Sequence, residues 1–269
     1  MRSGGSLVSN MLSLDSNIQI FTEFFYFFRH IHRKYKKINS LPTKYLIASE
    51  LCNRIKFRKN IFLDKYVVLN NLLNKKILNE KNLYNNLSNS VLISLSNNKK
   101  VFGEYCNGEW RYIENFLQFD KNNIAFQVIR DPRAILSSAK KVMFNKKFSF
   151  FNVIFNWADS IDYYKKYRLK YNQKRYIAFK FEDIQNNPEK EFKKVCKFSK
   201  IKYKNIYLSK KFWQSKLADP INYVNFSAYN KKKQYGFSKI RINNWKKNLK
   251  SWEILLIEYL LKDRMIEMG

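Results

Sequence analysis

The amino-acid sequence predicts an α/β fold in which helices flank a central parallel sheet. Two short runs, "NIAFQVIR" over 123–130 and "RYIAFKFEDI" over 175–184, are rich in β-branched and aromatic residues, as buried parallel strands are. Helical patterns lie between and after these runs, and this order of strand, helix, helix, strand and helix is typical of a parallel sheet. The 269 residues have the size of one domain, so we predict a single domain over 1–269.

The segment before these strands is predicted to be mostly helical. Apolar residues at positions 7, 8, 11 and 12 predict a first helix over 7–14, and an aromatic-rich segment over 18–37 ends in a basic run. From about 40 to 100 the sequence is rich in Asn, Lys and Leu, and the leucines have helical spacing. We expect a variable region of helices and loops there.

The helices that follow the predicted strands have N-terminal signals. Asp131 is suited to cap the helix in "DPRAILSSAKKVMF", where Pro132 takes the first helical position. Asn187 stands in the same relation to Pro188 at the start of "NNPEKEFKKVCKFSKI". Between these two helices, residues 148–171 have the pattern of a long amphipathic helix.

The composition indicates which kinds of partner the protein binds and in which cellular compartment it works. The formal net charge is +31, but the enriched residues (Lys, Asn, Ile, Phe and Tyr) are those of AT-rich codons and the charges are dispersed, so we do not expect a nucleic-acid partner. A basic surface still favours anionic ligands. Three widely spaced cysteines without a CxxC pair favour a reducing, cytoplasmic compartment. We predict no transmembrane helix, because no apolar run reaches about 18 residues.

The N-terminal stretch "MRSGGSLVSNML" has the pattern of a phosphate-binding loop. Small residues open the first helix, and the free N–H groups and positive dipole end of a helix N-terminus attract anions. Such a loop normally follows a buried strand, whereas only Met1 and Arg2 precede Ser3. The alternative is a terminal segment of small residues without a phosphate-binding role.

Arg130 and Ser138 form a second candidate anion site. Arg130 ends the first predicted strand, where ligands bind in open parallel sheets, and Ser138 lies about two turns along the next helix. A guanidinium fork and a hydroxyl suit a phosphate monoester. The alternative is that Arg130 pairs with Asp131 or another carboxylate, and that Ser138 is only a small packing residue.

Four blocks between residue 2 and about 255 carry a joint resemblance: "RSGGSLVSNMLSLDSNI", "IRDPRAILSS", "IAFKFEDIQNNPEKEFKKVCKF" and "NNWKKNLKSWE". In order and spacing they resemble the sulfotransferases that use 3′-phosphoadenosine 5′-phosphosulfate (PAPS). The resemblance implies a three-layer, P-loop-like α/β fold. It also implies transfer of a sulfuryl group from PAPS to a hydroxyl or amine, with 3′,5′-adenosine bisphosphate as product and without a metal.

In that family a strand leads into a P-[KR]-S-G-[TG]-[TS] loop that wraps the 5′-phosphosulfate. The resemblance implies this role for Arg2, Ser3, Gly4, Gly5 and Ser6. Arg2 would also neutralise the charge that develops on the bridging oxygen, which makes it a catalytic residue. Met1 stands in place of the proline and the preceding strand is missing, so we expect a chain that has lost its first strand.

The resemblance also implies residues for the rest of the nucleotide. Arg130 and Ser138 match the pair that holds the 3′-phosphate, and Phe181 stands near the adenine. Lys239 and Arg241 belong to the C-terminal stretch that closes over the nucleotide. The family's R-K-G and G-x-W-K runs are replaced here by "GFSKIRINNWKK", so which cation reaches the 3′-phosphate stays open.

The acceptor must lose a proton, so a base is expected near the sulfuryl group. Glu23 falls where carbohydrate- and tyrosine-modifying members have a glutamate after the first helix, and we expect it to be the base. Its alternative is a role in a helix cap or a salt bridge. Glu104 and Glu109 are the next candidates, whereas His30 and His32 lie in a basic stretch and are expected at the surface.

Some positions depart from the family pattern. Leu7 replaces a tryptophan that several members stack on adenine, and Tyr105 replaces the usual lysine of G-x-K-T. Glu182 and Asp183 are expected to tie the end of their strand to the next helix.

Other functions stay open. A P-loop kinase needs G-x-x-x-x-G-K-[ST], and the lysine is absent after Gly4-Gly5. An inactive nucleotide-binding relic, or a basic binding module, is favoured by the missing first strand. For the acceptor, a saccharide or a lipid headgroup fits the Glu23 assignment better than a phenol does.

Overall fold

The computed structural model of the protein describes residues 3–23, 25–35, 37–59, 61–95, 100–143, 150–171, 173–218 and 235–269. The strands are β1 Ile18–Thr22, β2 Val101–Tyr105, β3 Ala125–Ile129 and β4 Tyr176–Lys180. The helices are α1 Gly5–Ser13, α2 Phe27–His30, α3 Leu41–Lys59, α4 Lys65–Leu73, α5 Glu80–Ser94, α6 Ile113–Phe119, α7 Pro132–Met143, α8 Phe150–Tyr171, α9 Phe181–Asn186, α10 Pro188–Ser199, α11 Lys210–Lys216, α12 Ile240–Asn243, α13 Trp245–Asn248 and α14 Ser251–Met268. The predicted α/β class is confirmed.

Over the described residues the strands form two parallel pairs. β1 lies beside β2, with Ile18 opposite Val101, and β3 lies beside β4, with Ala125 opposite Tyr176. The central parallel sheet that the sequence predicts is therefore present as two halves. The space between the halves extends to the loop before α1, where the candidate site lies.

Most predicted elements are observed close to their predicted bounds. α1 corresponds to the helix predicted over 7–14, α8 to the helix over 148–171, and α3 to α5 fill the predicted helical region. The second predicted strand is shorter than expected, since β4 ends at Lys180 and α9 follows at once. Glu182 and Asp183 then lie in the first turn of a helix, where the macrodipole favours carboxylates.

The two predicted caps have different outcomes. Asp131 caps α7, because its Oδ1 accepts the N–H of Arg133 at 2.8 Å. The side chain of Asn187 makes no cap bond to α10, although Pro188 does begin that helix. The N–H of Asn187 bonds the carbonyl oxygen of Asp183 at 2.8 Å, so this residue closes α9 before α10 starts.

Four apolar clusters of described residues surround the two sheet halves. One joins β1 to α3, α4 and α5, a second joins α1 and β4 to α9, α10 and α11, and a third joins α7 and α8 to α13 and α14. The fourth and smallest joins β3 and β4 to α6 and α8. α1 is buried along its whole length and contacts β1, β2 and β3. This helix therefore lies across both halves, and its N-terminus is held at their carboxyl ends.

Candidate active site

The loop before α1 is shaped by its two glycines. Gly4 has a left-handed backbone with φ 93°, and a Cβ built on it meets Cδ2 of Phe181 at 2.2 Å. A Cβ on Gly5 meets Cε2 of Tyr105 at 2.1 Å. Because aromatic rings lie this close to both backbones, the loop needs residues without side chains.

The N-terminus of α1 has the properties of an anion site. Gly4 is the N-cap residue and has no side chain that could cap the helix, which begins with the N–H of Leu7 bonded to the Gly4 carbonyl at 2.9 Å. The first-turn N–H groups and the positive end of the dipole are then directed at whatever lies before the helix. α1 is buried, so this field is weakly screened by solvent.

Phe181 links the loop to Arg130. The guanidinium carbon of Arg130 lies 4.4 Å from the centroid of the Phe181 ring, whose edge lies against Gly4. Arg130 is 8% exposed, and its carbonyl accepts Nε1–H of Trp157 at 2.8 Å, which fixes the backbone at the end of β3. The structure thus brings three sequence-predicted residues, from three distant segments, into one stack.

The side chain of Asp131 is bound by Arg133. Arg133 binds both oxygens of Asp131 through Nε and Nη2, with Nη2 2.7 Å from Oδ2, and its Nη1 lies 2.5 Å from Oε1 of Glu258. The same guanidinium carbon lies 4.1 Å from the ring centroid of Trp245. Arg133 is therefore a partner of Asp131. Arg130 lies near a different carboxylate, that of Glu182, whose pKa burial raises and Arg130 lowers.

The remaining predicted binding residues have diverse surroundings. Ser6 and Ser138 are buried in α1 and α7, and Ser138 is 3% exposed. Lys239 is exposed, beside Ser238, whose N–H donates to the side-chain oxygen of Gln185 in α9. Arg2 and the side chain of Arg241 lie outside the described residues.

The inter-sheet cavity, which we define as the space bounded by all residues of β2 and β3, has a volume of about 940 Å³. At the carboxyl ends of β2 and β3 the cavity reaches Ser3, Gly5, Tyr105 and Arg130. Glu104 and Glu109 also line it, whereas Glu23 and Ser138 are not among its lining residues in the described part of the chain.

Glu23 is tied to the loop through two side chains. Its carboxylate accepts Nδ2–H of Asn107, and Oδ1 of Asn107 accepts the hydroxyl of Tyr105 at 2.5 Å. The Tyr105 ring lies against Gly5. Glu23 also has a left-handed backbone, with φ 56°, which is uncommon for a residue other than glycine and marks a constrained position.

Glu104 holds the turn that follows Glu23. Its Oε1 accepts the N–H groups of Phe25, at 2.7 Å, and Tyr26. Burial raises the pKa of the Glu104 carboxyl to about 7, although these two N–H groups favour the ionised form. The Glu104 carboxylate therefore holds the backbone of this turn, and it also lines the inter-sheet cavity.

Glu109 is engaged by a cation. Its Oε1 lies 2.8 Å from Nη2 of Arg29, and the same nitrogen donates to the carbonyl of Asn107 at 2.9 Å. Burial raises the pKa of the Glu109 carboxyl, and Arg29 opposes that shift.

The expected surface location is wrong for His32. Its side chain is 4% exposed, and Nδ1 lies 3.0 Å from Oε2 of Glu80. Burial lowers the pKa of the His32 imidazole. The aromatic residues of the same segment pack around this ring, with Phe28 at 5.1 Å between centroids, and a basic sequence context did not reveal this.

Comparison with known proteins now decides the family. A family model described as "Sulfotransferase family" matches residues 1–205. The chain belongs to the sulfotransferase family. Its general reaction is sulfuryl transfer, and its fold is the P-loop-like α/β fold of its structural neighbours.

Two solved sulfotransferase domains illustrate that likeness. The domain from the curacin biosynthetic pathway has 14% identity and a TM-score of 0.58, with 97% of this chain and 94% of that one covered. The domain from the Synechococcus PCC 7002 olefin synthase has 13% identity and a TM-score of 0.58, with 96% and 90% covered. Identities this low show a common fold alone. No curated protein matches this sulfotransferase chain.

The described residues contain neither a metal-binding cluster nor a membrane-spanning helix. No group of three or more His, Cys, Asp or Glu side chains in this part of the sulfotransferase is arranged to hold a metal ion. None of its described helices is long and apolar enough to cross a membrane.

Sequence reasoning missed the connection through Asn107. The sequence pattern marks Tyr105 only as a replacement for lysine and gives no sign of Asn107, although Tyr105 ends β2 and Asn107 lies two residues later. The short run "VFGEY" had a usable signal, because a run that contains Val, Phe and Tyr and precedes an Asn-Gly pair favours a strand that ends in a turn.

Proposed function

We propose that this sulfotransferase uses PAPS as its donor and transfers the sulfuryl group to a hydroxyl or amine of an acceptor. The observation that carries the proposal is the convergence of the glycine loop, Phe181 and Arg130 at the carboxyl ends of the strands. In the reaction an acceptor oxygen or nitrogen bonds to sulfur while the bond from sulfur to the phosphate oxygen breaks. The acceptor's proton passes to a base, and 3′,5′-adenosine bisphosphate leaves.

The loop fits the 5′ end of such a donor. Gly4 and Gly5 have no side chains, so the backbone of this loop can approach an anion closely. Arg2 is proposed to supply the cation for charge that develops on the leaving oxygen. The assignment of Ser3 to Ser6 is supported by the family resemblance and the loop geometry together, and that of Arg2 by the resemblance alone.

The second anion site is proposed for the 3′-phosphate. Arg130 is buried at the end of β3 with its guanidinium over the Phe181 ring, and a guanidinium in such a position suits a phosphate monoester. Ser138 is proposed as its hydroxyl partner. Phe181 is proposed to lie near the adenine, and Lys239 and Arg241 to close over the nucleotide.

Glu23 is proposed as the base. It is linked to the loop through Asn107 and Tyr105, which supports a position near the transferred group. Glu104 and Glu109 remain the reserve candidates, although Glu104 binds two backbone N–H groups and Glu109 lies against Arg29. A saccharide or a lipid headgroup is the proposed acceptor class, by analogy with the Glu-using branch.

The experiment measures release of 3′,5′-adenosine bisphosphate from PAPS with a panel of saccharide, lipid-headgroup and phenol acceptors. Release that depends on a saccharide or lipid acceptor supports the proposal in full. Binding of the bisphosphate without release from any acceptor favours the inactive nucleotide-binding relic, an alternative that the divided sheet supports. If the protein neither binds the bisphosphate nor releases it from PAPS, the PAPS assignment is wrong.

A further inference from the structure

We infer that the outer face of α3, together with the turn that leads into α4, docks on an anionic membrane surface. We define this α3 face by Tyr45, Leu46, Lys56, Phe57 and Phe62. These residues are not among those that line the inter-sheet cavity, so the α3 face is separate from the candidate active site. The inference does not depend on PAPS or on sulfuryl transfer.

The α3 face is largely apolar although it lies in solvent. Phe57 is 92% exposed and Phe62 is 67% exposed, and Leu46 and Tyr45 are about half exposed. At about 100° per residue, the four members that belong to α3 lie within an arc of about 120°. The opposite side of this helix packs into the apolar cluster that it shares with α4 and α5. An exposed apolar patch of this kind marks an interaction surface.

Two lysines join the aromatic rings of the α3 face. Nζ of Lys65 lies 4.1 Å from the centroid of the Tyr45 ring and donates to the Tyr45 hydroxyl at 2.7 Å. Nζ of Lys56 lies 4.9 Å from the centroid of the Phe62 ring. Because each pair connects α3 to the segment that follows it, rings from both segments belong to one surface.

The charge of this region is positive and its acidic side chains are engaged. Between positions 41 and 78 the sequence has eight Lys or Arg residues and two acidic ones, Glu50 and Asp64. Oε2 of Glu50 lies 2.5 Å from Nζ of Lys34. Oδ1 of Asp64 caps α4 by accepting a backbone N–H at 2.8 Å. The α3 face therefore favours an anionic partner.

The mixture of side chains favours a membrane over other anionic partners. Phe and Leu side chains gain by entering the boundary of the acyl chains, while Tyr and Lys keep their polar ends among the headgroups. A single-stranded nucleic acid would stack on the rings but would leave Leu46 in water. A second copy of the α3 face would bring two surfaces of like charge together.

The test measures binding to vesicles made of equal parts of phosphatidylcholine and phosphatidylserine, with pure phosphatidylcholine vesicles as the reference. We expect binding to the mixed vesicles that weakens on pure phosphatidylcholine and with added salt. Phe57→Ala and Phe62→Ala should each weaken it by about tenfold, because each removes a large apolar side chain from the interface. Lys56→Gln should weaken it by about fivefold.

Phe155→Ala is the matched control. Phe155 lies in α8 and is 65% exposed, so the substitution removes the same side chain from another exposed surface. We expect it to leave vesicle binding unchanged. An equal loss in Phe155→Ala and Phe57→Ala would overturn the inference.

A second measurement reports the contact directly and does not require weakened binding. On mixed vesicles that contain brominated lipid, the added fluorescence of Phe57→Trp should be quenched and that of Phe155→Trp should not. No binding to mixed vesicles overturns the inference, and so does binding that Phe57→Ala and Phe62→Ala leave unchanged, which makes net charge alone responsible. If these two substitutions instead abolish binding of single-stranded DNA or self-association, the α3 face belongs to a nucleic acid or to a second copy.

Discussion

Substituting Gly4 by alanine tests whether the loop is held between aromatic rings. The substitution places a methyl group at a residue with φ 93°, where a Cβ meets the Phe181 ring at 2.2 Å. Gly236 offers a matched control, since its φ is also positive, at 72°, and a Cβ there meets no described atom within 4 Å.

The expected magnitudes follow from these two geometries. The left-handed backbone costs an alanine about 1 kcal/mol at either position. Overpacking against Phe181 adds about 1–3 kcal/mol at Gly4 only, because the ring is itself held by Arg130 and the surrounding core. The free energy of unfolding should therefore fall by about 2–4 kcal/mol for Gly4→Ala and by about 1 kcal/mol for Gly236→Ala.

Urea denaturation measures the difference. With an m-value of about 3 kcal/mol/M, the midpoint should fall by about 1 M for Gly4→Ala and by about 0.3 M for the control. In the background of Phe181→Ala, Gly4→Ala should lose only the smaller amount, since the clash is gone. Equal losses at Gly4 and Gly236, or an unchanged loss without the Phe181 ring, would refute the stacked loop.

Two further substitutions probe the carboxylates. Glu23→Gln should lower kcat about a hundredfold with nucleotide affinity nearly unchanged; full turnover in this variant, with loss in Glu104→Gln, would give the base role to Glu104. The folded protein binds the Glu104 proton more tightly than the unfolded chain does, so part of its stability is present below about pH 4.5 and is lost as the pH rises to about 7. We expect Glu104→Gln to remove about 3 kcal/mol of this dependence, and parallel stability profiles of the two proteins would contradict that.

The sequence predicted those elements whose signals are local. β3, α7 and α10 follow from short apolar runs and from Asp131, Pro132 and Pro188, which act within one turn of their own helices. β1 was hidden inside an aromatic-rich segment, because Phe and Ile at successive positions fit a buried helix as well as a strand.

The sequence names candidate residues for the site but not the contacts between them. Gly4, Phe181 and Arg130 were named from motifs, yet their stacking depends on packing between segments far apart in the chain. The bond from Asn107 to Glu23 spans 84 residues and has no local pattern. For Asp131 the sequence analysis named only Arg130 as a partner, and the fold shows that Arg133 binds this carboxylate.

The central claim is that this sulfotransferase recognises a 3′-phosphorylated adenine nucleotide, and isothermal titration tests it most directly. We expect 3′,5′-adenosine bisphosphate to bind more tightly than AMP. Arg130→Ala should weaken the free energy of binding of the bisphosphate by about 1.5–3 kcal/mol. Arg264→Ala, which removes an exposed ion pair with Asp162, is the control and should leave affinity unchanged. Equal affinities for the bisphosphate and AMP in the unmodified protein would contradict the claim.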